Sequence, residues 1–90
     1  MYNLRPTTKF QKDLKRVKKR GYDISLLTDI IKKLAAGKSL PEKNRDHPIY
    51  GDYAGCRECH ITPDWLLIYE LNVDELILYL TRTGSHSDLF

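Results

Sequence analysis

The feature that most limits how this chain can fold is a short apolar run that directly follows a Pro-Asp pair. Residues 65–71 read Trp-Leu-Leu-Ile-Tyr-Glu-Leu and include a single charged side chain. A run this short and this apolar is typical of a central strand that is buried on both faces of a sheet. Because Pro63 fixes φ and Asp64 can hydrogen-bond the backbone beyond it, the pair predicts a tight turn before this strand.

Around this strand the sequence predicts an α+β fold of order β-αα-βββ within one domain, residues 1–90. Apolar residues at helical spacing predict two helices that form an αα-hairpin and pack on one face of the sheet. Thr8 is the expected N-cap of the first helix and Gly21 ends it, whereas Asp23 or Ser25 caps the second. We expect an antiparallel sheet of about four strands, at residues 2–5, 56–61, 65–71 and 75–83.

Positive charge is concentrated at the N-terminal end of the chain. Residues 1–20 contain eight Lys or Arg and one acid, whereas residues 46–90 contain two Lys or Arg and eight acids. This asymmetry predicts a polyanionic partner such as a nucleic acid, and a solvated, lysine-rich helix face explains it equally well. No apolar run approaches the ~20 residues of a membrane span, and residues 1–6 lack the apolar core of a signal peptide. We therefore expect a cytoplasmic protein with no membrane partner.

Residues 56–60, Cys-Arg-Glu-Cys-His, match the attachment motif of c-type haem, but we expect no haem. Attachment of that kind accompanies export, and Met1 is the only methionine, which leaves no internal Met as an axial ligand. Strand alternation sends Cys56 and Cys59 to opposite faces of the sheet, which also disfavours a zinc site or a redox dithiol. The prediction is two reduced, structural cysteines.

Titratable side chains collect at one predicted rim of the sheet. His60 ends the first strand of the meander, Asp64 begins the next, and Arg82 and His86 lie at the end of the third. An imidazole beside a carboxylate is suited to acid–base catalysis, although Asp64 as a turn residue and His60 as a strand residue explain that pair without any function. Metal binding by the histidines is a further alternative. The basic helix favours chemistry on a phosphodiester, with no metal and no other cofactor.

The second half of the chain resembles the YafQ branch of the RelE/ParE toxin superfamily. The resemblance is carried by Asp-His-Pro at 46–48, by Gly-x-Tyr-x-Gly-x-Arg-x-Cys-His-Ile-x-Pro-Asp-Trp-Leu-Leu-Ile-Tyr at 51–69, and by Arg-Thr-Gly-Ser-His-Ser-x-Leu-Phe at 82–90. It implies a bacterial type II toxin with a compact fold like that of microbial RNases. It further implies an endoribonuclease that cuts mRNA in the A site of the 70S ribosome and is neutralised by a DinJ-like antitoxin.

The resemblance assigns function to His47, His60, Asp64, Arg82 and His86, all of which are present. Cleavage by the RNA 2′-OH needs a base, an acid and a cation beside the phosphate. We expect His86 to be the acid and Arg82 to hold the phosphate. His60 and Asp64 would act on the 2′-OH with help from His47, and the sequence leaves open which imidazole is acid and which is base.

Aromatic and basic residues are the expected substrate contacts. Trp65 and Phe90 belong to the family pattern and are expected to position the RNA, because aromatic rings stack on bases. For Trp65 and Tyr53, packing in the core is an equal alternative. The residues expected to grip ribosomal RNA are lysines on the two helices, namely Lys9, Lys12, Lys15, Lys32 and Lys33.

Two other functional classes compete with the nuclease. The first is a non-catalytic toxin that inhibits DNA gyrase by protein contact, as in the ParE branch. The second is a toxin homologue that has decayed into a regulatory or antitoxin-binding module. Three histidines and Asp64 at one rim argue against the gyrase inhibitor, because a protein that only binds has no need of titrating side chains there. The intact site positions argue against the decayed homologue.

Overall fold

The apolar run after the Pro-Asp turn forms the central strand of a five-stranded sheet in the computed structural model, which describes residues 1–90. The order of strands in the sheet is β1-β5-β4-β3-β2. The elements in chain order are β1 (Asn3–Pro6), α1 (Thr8–Lys19), α2 (Ile24–Ala35), β2 (His47–Pro48), β3 (Arg57–Thr62), β4 (Trp65–Asn72), β5 (Ile77–Gly84) and α3 (His86–Leu89), with short 3-10 turns at Glu42–Asn44 and Gly51–Tyr53.

The predicted β-αα-βββ order is confirmed, with two additions and one change of direction. The additions are the two-residue strand β2, which pairs with β3, and the four-residue helix α3. Strands β3, β4 and β5 form the expected antiparallel meander, but β1 runs parallel to β5. The long crossover through α1 and α2 allows this, because a parallel neighbour requires the chain to return to the same end of the sheet.

Local signals set the ends of the two long helices, with one shift from the prediction. Thr7, not Thr8, is the N-cap of α1, and its hydroxyl accepts the backbone N–H three residues further on at 3.0 Å. Gly21 follows the last residues of α1 with φ at 83°, which a glycine adopts without strain. Asp23 caps α2, where its carboxylate accepts the backbone N–H of Ser25.

Each face of the sheet has its own apolar cluster. α1 and α2 cover one face of the sheet, and the core on that face includes Leu67 of β4. The loop before β3 and helix α3 cover the other face, and the core there includes Leu66. Strand β4 is therefore buried on both faces, as its composition predicts. Cys59 belongs to the first cluster and Cys56 to the second, and both thiols are free, which confirms the expected opposite orientation. None of the helices has the length and apolar character that crossing a membrane requires.

Candidate active site

The ends of β3 and β5 bring three of the predicted site residues to one rim of the sheet. Both strands flank β4 in antiparallel fashion, so they end on the same side, next to the turn that contains Asp64. The ring centres of His60 and His86 are 6.2 Å apart. The carboxylate of Asp64 lies 4.0 Å from Nδ1 of His86 and accepts its backbone N–H at 3.4 Å. Asp64 thus contacts His86, whereas the sequence paired it with His60.

His60 is oriented by the turn that follows it. Its Nδ1 lies 3.3 Å from the carbonyl oxygen of Pro63, and the side chain is 15% exposed. In the tautomer in which Nδ1–H donates to that carbonyl, Nε2 carries the free lone pair. The nearest charged group to Nε2 is the Glu58 carboxylate at 3.7 Å, which is too far for a hydrogen bond. Nε2 is therefore available to a substrate.

The buried carboxylate of Glu58 lies between two histidines. One of its oxygens is 3.7 Å from Nε2 of His60 and 3.5 Å from Nε2 of His47, whose Nδ1 contacts the carbonyl of Arg45. Glu58 is not among the residues that the sequence predicted for the site, although residues 58 and 60 share a face because side chains alternate along a strand. Glu58 joins His47 to the site and places a negative charge beside both rings.

Arg82 is held by Asp13 of α1, a second acidic residue that the sequence did not predict for the site. Its Nε donates to Asp13 Oδ2 at 2.6 Å and its Nη2 to Asp13 Oδ1 at 3.1 Å, while Nη1 donates to the Tyr53 hydroxyl at 3.1 Å. The hydrogen bond from Arg82 to Asp13 raises the pKa of the guanidinium above its ordinary value. Asp13 lies three residues after Phe10 and four before Val17, so its spacing on the buried stripe was the available signal.

Helix α3, which begins at His86, is fixed by Asp88. The Ser85 hydroxyl accepts the backbone N–H of Asp88, and the Asp88 carboxylate accepts the backbone N–H of Ser85, which completes a capping box. Arg20 of α1 donates two hydrogen bonds to the same carboxylate, at 2.6 and 2.9 Å. These bonds from Arg20 hold the pKa of Asp88 well below its usual range.

The two aromatic residues of the family pattern have different environments. Trp65 is 2% exposed, packs edge-on against Tyr22 and donates its indole N–H to the Thr83 hydroxyl at 2.9 Å. Trp65 is therefore enclosed in the core, the alternative that the sequence left open, and its ring is not exposed for stacking on a base. Phe90 is 64% exposed, with its ring centre 5.8 Å from those of both Tyr53 and His86. It is open to a base that approaches the site.

The predicted lysines lie on the helical layer and not in the histidine cluster. All five are exposed and none forms an ion pair, so they are free to meet phosphates. Two arginines are not free in this way, since Arg16 of α1 and Arg20, the residue that caps the C-terminus of this helix, both pair with Asp88. The lysines concerned are Lys9, Lys12, Lys15, Lys32 and Lys33.

Comparison with known proteins identifies the family. The model of the family described as the bacterial toxin of type II toxin–antitoxin systems, YafQ, matches residues 2–90. The mRNA interferase toxin YafQ of Escherichia coli strain K12 is 38% identical over 82 residues, which cover 90% of this chain and 87% of that protein. A metal-bound toxin from Helicobacter pylori is 43% identical with a TM-score of 0.93 over 100% of both chains. The E. coli DinJ–YafQ complex contains a chain that is 34% identical with a TM-score of 0.90, over 100% of this chain and 99% of that one. The family match spans nearly the whole sequence and the shared fold spans all of it, so the chain belongs to the YafQ family of bacterial toxins from type II toxin–antitoxin systems.

Proposed function

We propose that this toxin is an mRNA endoribonuclease that cuts in the ribosomal A site and thereby inhibits translation. The observation that carries the proposal is the pair of imidazoles, His60 and His86, whose ring centres are 6.2 Å apart at one rim. Arg82 is linked to His86 through the contacts of Tyr53 and Phe90. Two proton-transfer groups and a fixed cation are what 2′-OH attack on a phosphodiester requires. The E. coli relative named as an mRNA interferase supports the same reaction.

In this mechanism His60 is the general base. Its Nδ1–H donates to Pro63, which leaves the Nε2 lone pair to take the proton of the 2′-OH as that oxygen attacks the adjacent phosphorus. The Glu58 carboxylate is buried 3.7 Å from this nitrogen and faces the imidazolium that forms. His47, on the far side of Glu58, adds to the positive field around the phosphate when it is protonated.

His86 is the general acid and Arg82 stabilises the phosphate. The imidazole of His86 is the most exposed of the three, and the Asp64 carboxylate lies 4.0 Å from its Nδ1. The ring donates its proton to the leaving 5′-oxygen, which completes cleavage and leaves a cyclic phosphate on the other fragment. Arg82 meets the charge that develops on the phosphate oxygens, because part of its fork of donors is not used within the protein.

The surroundings of the rim suit a single-stranded RNA. Phe90 offers an exposed ring for stacking on a base. His60 also lines a cavity of about 550 Å³ whose other lining residues are mainly polar or basic, among them Lys43 and Arg45. The five lysines of the helical layer bind ribosomal RNA through its phosphates, so binding weakens as salt is added.

The proposed partner is a cognate antitoxin similar to DinJ. The chain that shares this fold at 34% identity was solved in a DinJ–YafQ complex, which supports a partner of the same kind here. The antitoxin neutralises the toxin by covering the rim that carries His60 and His86. Because the ribosome and its mRNA are the targets, the toxin acts in the cytoplasm.

The test is to map RNA 3′ ends after the purified protein is added to ribosomes that carry a defined mRNA, with free RNA in parallel. His86→Ala is expected to abolish cutting. Ser87→Ala is the matched control, since Ser87 is the exposed neighbour in the same helix and makes no side-chain hydrogen bond. Cuts at A-site codons by the wild type and the control, without cuts in free RNA, are the expected result.

Two outcomes would change the proposal. Equal cutting of free RNA would keep the nuclease and remove the ribosome from the mechanism. No cutting by the wild type under either condition would refute the enzyme. Inhibition of DNA gyrase would then be measured, because a gyrase inhibitor is the competing activity within the same superfamily.

A further inference from the structure

One row of alternating charges connects α1 to both ends of the proposed site. Asp13, Arg16 and Arg20 lie three and four residues apart on α1, so their side chains lie along one side of the helix. Arg82 of β5 pairs with Asp13 at one end of the row, and Asp88 of α3 lies between Arg16 and Arg20 at the other. The order of the row is Arg82, Asp13, Arg16, Asp88, Arg20, with the sign alternating at every step.

Asp13 is built into this row in a way that only a carboxylate satisfies. It is 1% exposed, and each of its oxygens accepts two hydrogen bonds. Oδ2 accepts from Arg82 Nε at 2.6 Å and from the backbone N–H of Thr83 at 3.1 Å. Oδ1 accepts from Arg82 Nη2 at 3.1 Å and from Arg16 Nη2 at 2.6 Å. Since all four partners are donors, an asparagine would have to turn its NH₂ group towards two of them.

These contacts fix the orientation of the Arg82 guanidinium. Two parallel bonds to one carboxylate set the plane of the group, and the third bond to the Tyr53 hydroxyl fixes its rotation within that plane. Of the five N–H groups of an arginine, one on Nη1 and one on Nη2 remain without a partner in the protein. Those two donors are the ones available to a phosphate.

At the other end, the same row fixes α3. A helix of four residues does not hold its conformation alone, because one turn forms too few hydrogen bonds to offset the ordering of its backbone. Asp88 supplies the missing constraint through its bonds to Arg20 and to the backbone N–H of Ser85. Arg16 contacts Asp13 at 2.6 Å and Asp88 at 3.3 Å, which joins the two ends.

We infer that Asp13 is a positioning residue for RNA cleavage, which aims the guanidinium of Arg82 at the scissile phosphate. The inference rests on the proposed nuclease function and adds to it a residue of α1 that does not touch the substrate. It also explains why an acid is buried in the middle of a strongly basic helix. If Asp13 acts through Arg82, its loss lowers the rate of the chemical step and leaves substrate binding largely unchanged.

The experiment measures kcat and KM for RNA cleavage on ribosomes by Asp13→Asn, with Asp29→Asn as the control. Asp29 is an exposed carboxylate on α2 without an ion pair. We expect Asp13→Asn to lower kcat by about 100-fold, the usual effect of misplacing one catalytic group, with KM changed by less than about threefold. The control is expected to match the wild type.

The deciding readout is the same substitution in an Arg82→Ala background. A residue that acts through Arg82 has nothing left to position there, so Asp13→Asn is expected to cause no further loss of kcat. A general structural defect would lower kcat by the same factor in both backgrounds, and that outcome would overturn the inference. If the wild type does not cut RNA at all, the proposed function itself has failed and the inference falls with it.

A second variant keeps the test decisive if Asp13→Asn does not fold, as judged by circular dichroism. Arg16 is 39% exposed, so Arg16→Gln weakens the row of ion pairs without burying a new polar group in the core. Asp13 still pairs with Arg82 in this variant, and Asp88 still pairs with Arg20. It is expected to lower kcat by about threefold to tenfold, and to have no effect in the Arg82→Ala background. An unchanged kcat for a folded Arg16→Gln, or a loss that persists without Arg82, would contradict the inference.

Discussion

Replacing Trp65 by phenylalanine is expected to lower stability and to leave RNA binding nearly unchanged, because the indole is part of the core. The change removes the hydrogen bond from the indole N–H to Thr83, which is worth about 0.5–1.5 kcal/mol net in such a setting. The smaller ring also leaves a gap in a packed interior, at a cost of roughly 1 kcal/mol. Phenylalanine keeps the edge-on contact with Tyr22, at 4.9 Å between ring centres, so that contribution largely remains.

The expected loss in the free energy of unfolding is therefore about 2 kcal/mol, which lowers Tm by roughly 8–16 °C in a domain of this size. Calorimetry gives Tm, and cleavage on ribosomes well below Tm gives KM. Thr83→Val removes the other side of the same hydrogen bond, and the double variant should show a coupling of about 1 kcal/mol. A Tm equal to that of the wild type together with a KM raised tenfold or more would refute the core assignment and restore Trp65 as an RNA contact.

Three further predictions concern charge, thiols and a glycine. The hydrogen bonds from Arg20 lower the pKa of Asp88 below its ordinary value of 3.8. The charged carboxylate therefore stabilises the folded state fully above pH 3.8, and this stabilisation is lost as the pH falls through the lowered pKa. The Tm difference between wild type and Asp88→Asn should therefore shrink from about pH 6 to about pH 2, and a constant difference would contradict it. Burial raises the pKa of the Cys59 thiol to about 12 and also raises the pKa of the Cys56 thiol. Neither thiol should therefore react with a disulfide reagent near pH 8 until the protein is denatured. Fast reaction of the native protein would show that these thiols are not buried. Gly84 has φ at +154°, and a Cβ there would lie 2.8 Å from Asp88 Oδ2. Gly84→Ala should therefore lower the free energy of unfolding in urea by about 1–3 kcal/mol. An unchanged urea midpoint would mean that the capping box around Asp88 adjusts without cost.

The parts of the fold that sequence predicted well are those with a strong local or periodic signal. Strand β4 was marked by its continuous apolar run, and the two long helices by their stripes and by Gly21. Thr7 and Thr8 both offer a hydroxyl, so the choice of N-cap depended on which one reached the free N–H groups, and composition does not distinguish them. The two-residue strand β2 forms only because β3 provides an edge, and α3 forms largely because of Asp88, so neither has a periodicity to detect.

The candidate site was predictable where strand order alone brings residues together. An antiparallel meander places His60, Asp64 and His86 at one rim, and that prediction needed no side-chain detail. Glu58 and Asp13 were missed because their positions next to a histidine and an arginine depend on tertiary contacts between side chains. Each nevertheless had a weak signal, since Glu58 shares a strand face with His60 and Asp13 falls on the buried stripe of α1.

The structure also changes how the positive charge of α1 is interpreted. From sequence, all the cations of α1 looked equivalent, and a polyanionic partner or a solvated surface explained them equally well. In the structure they separate into two groups, because Arg16 and Arg20 are engaged with Asp88 while Lys9 and Lys12 remain exposed and unpaired. The first group takes part in the contacts that hold Arg82 and α3, and only the second is available to a polyanionic partner. Net charge therefore overstates the positive surface that this helix can offer to a partner, because Asp13 and Asp88 already neutralise part of it.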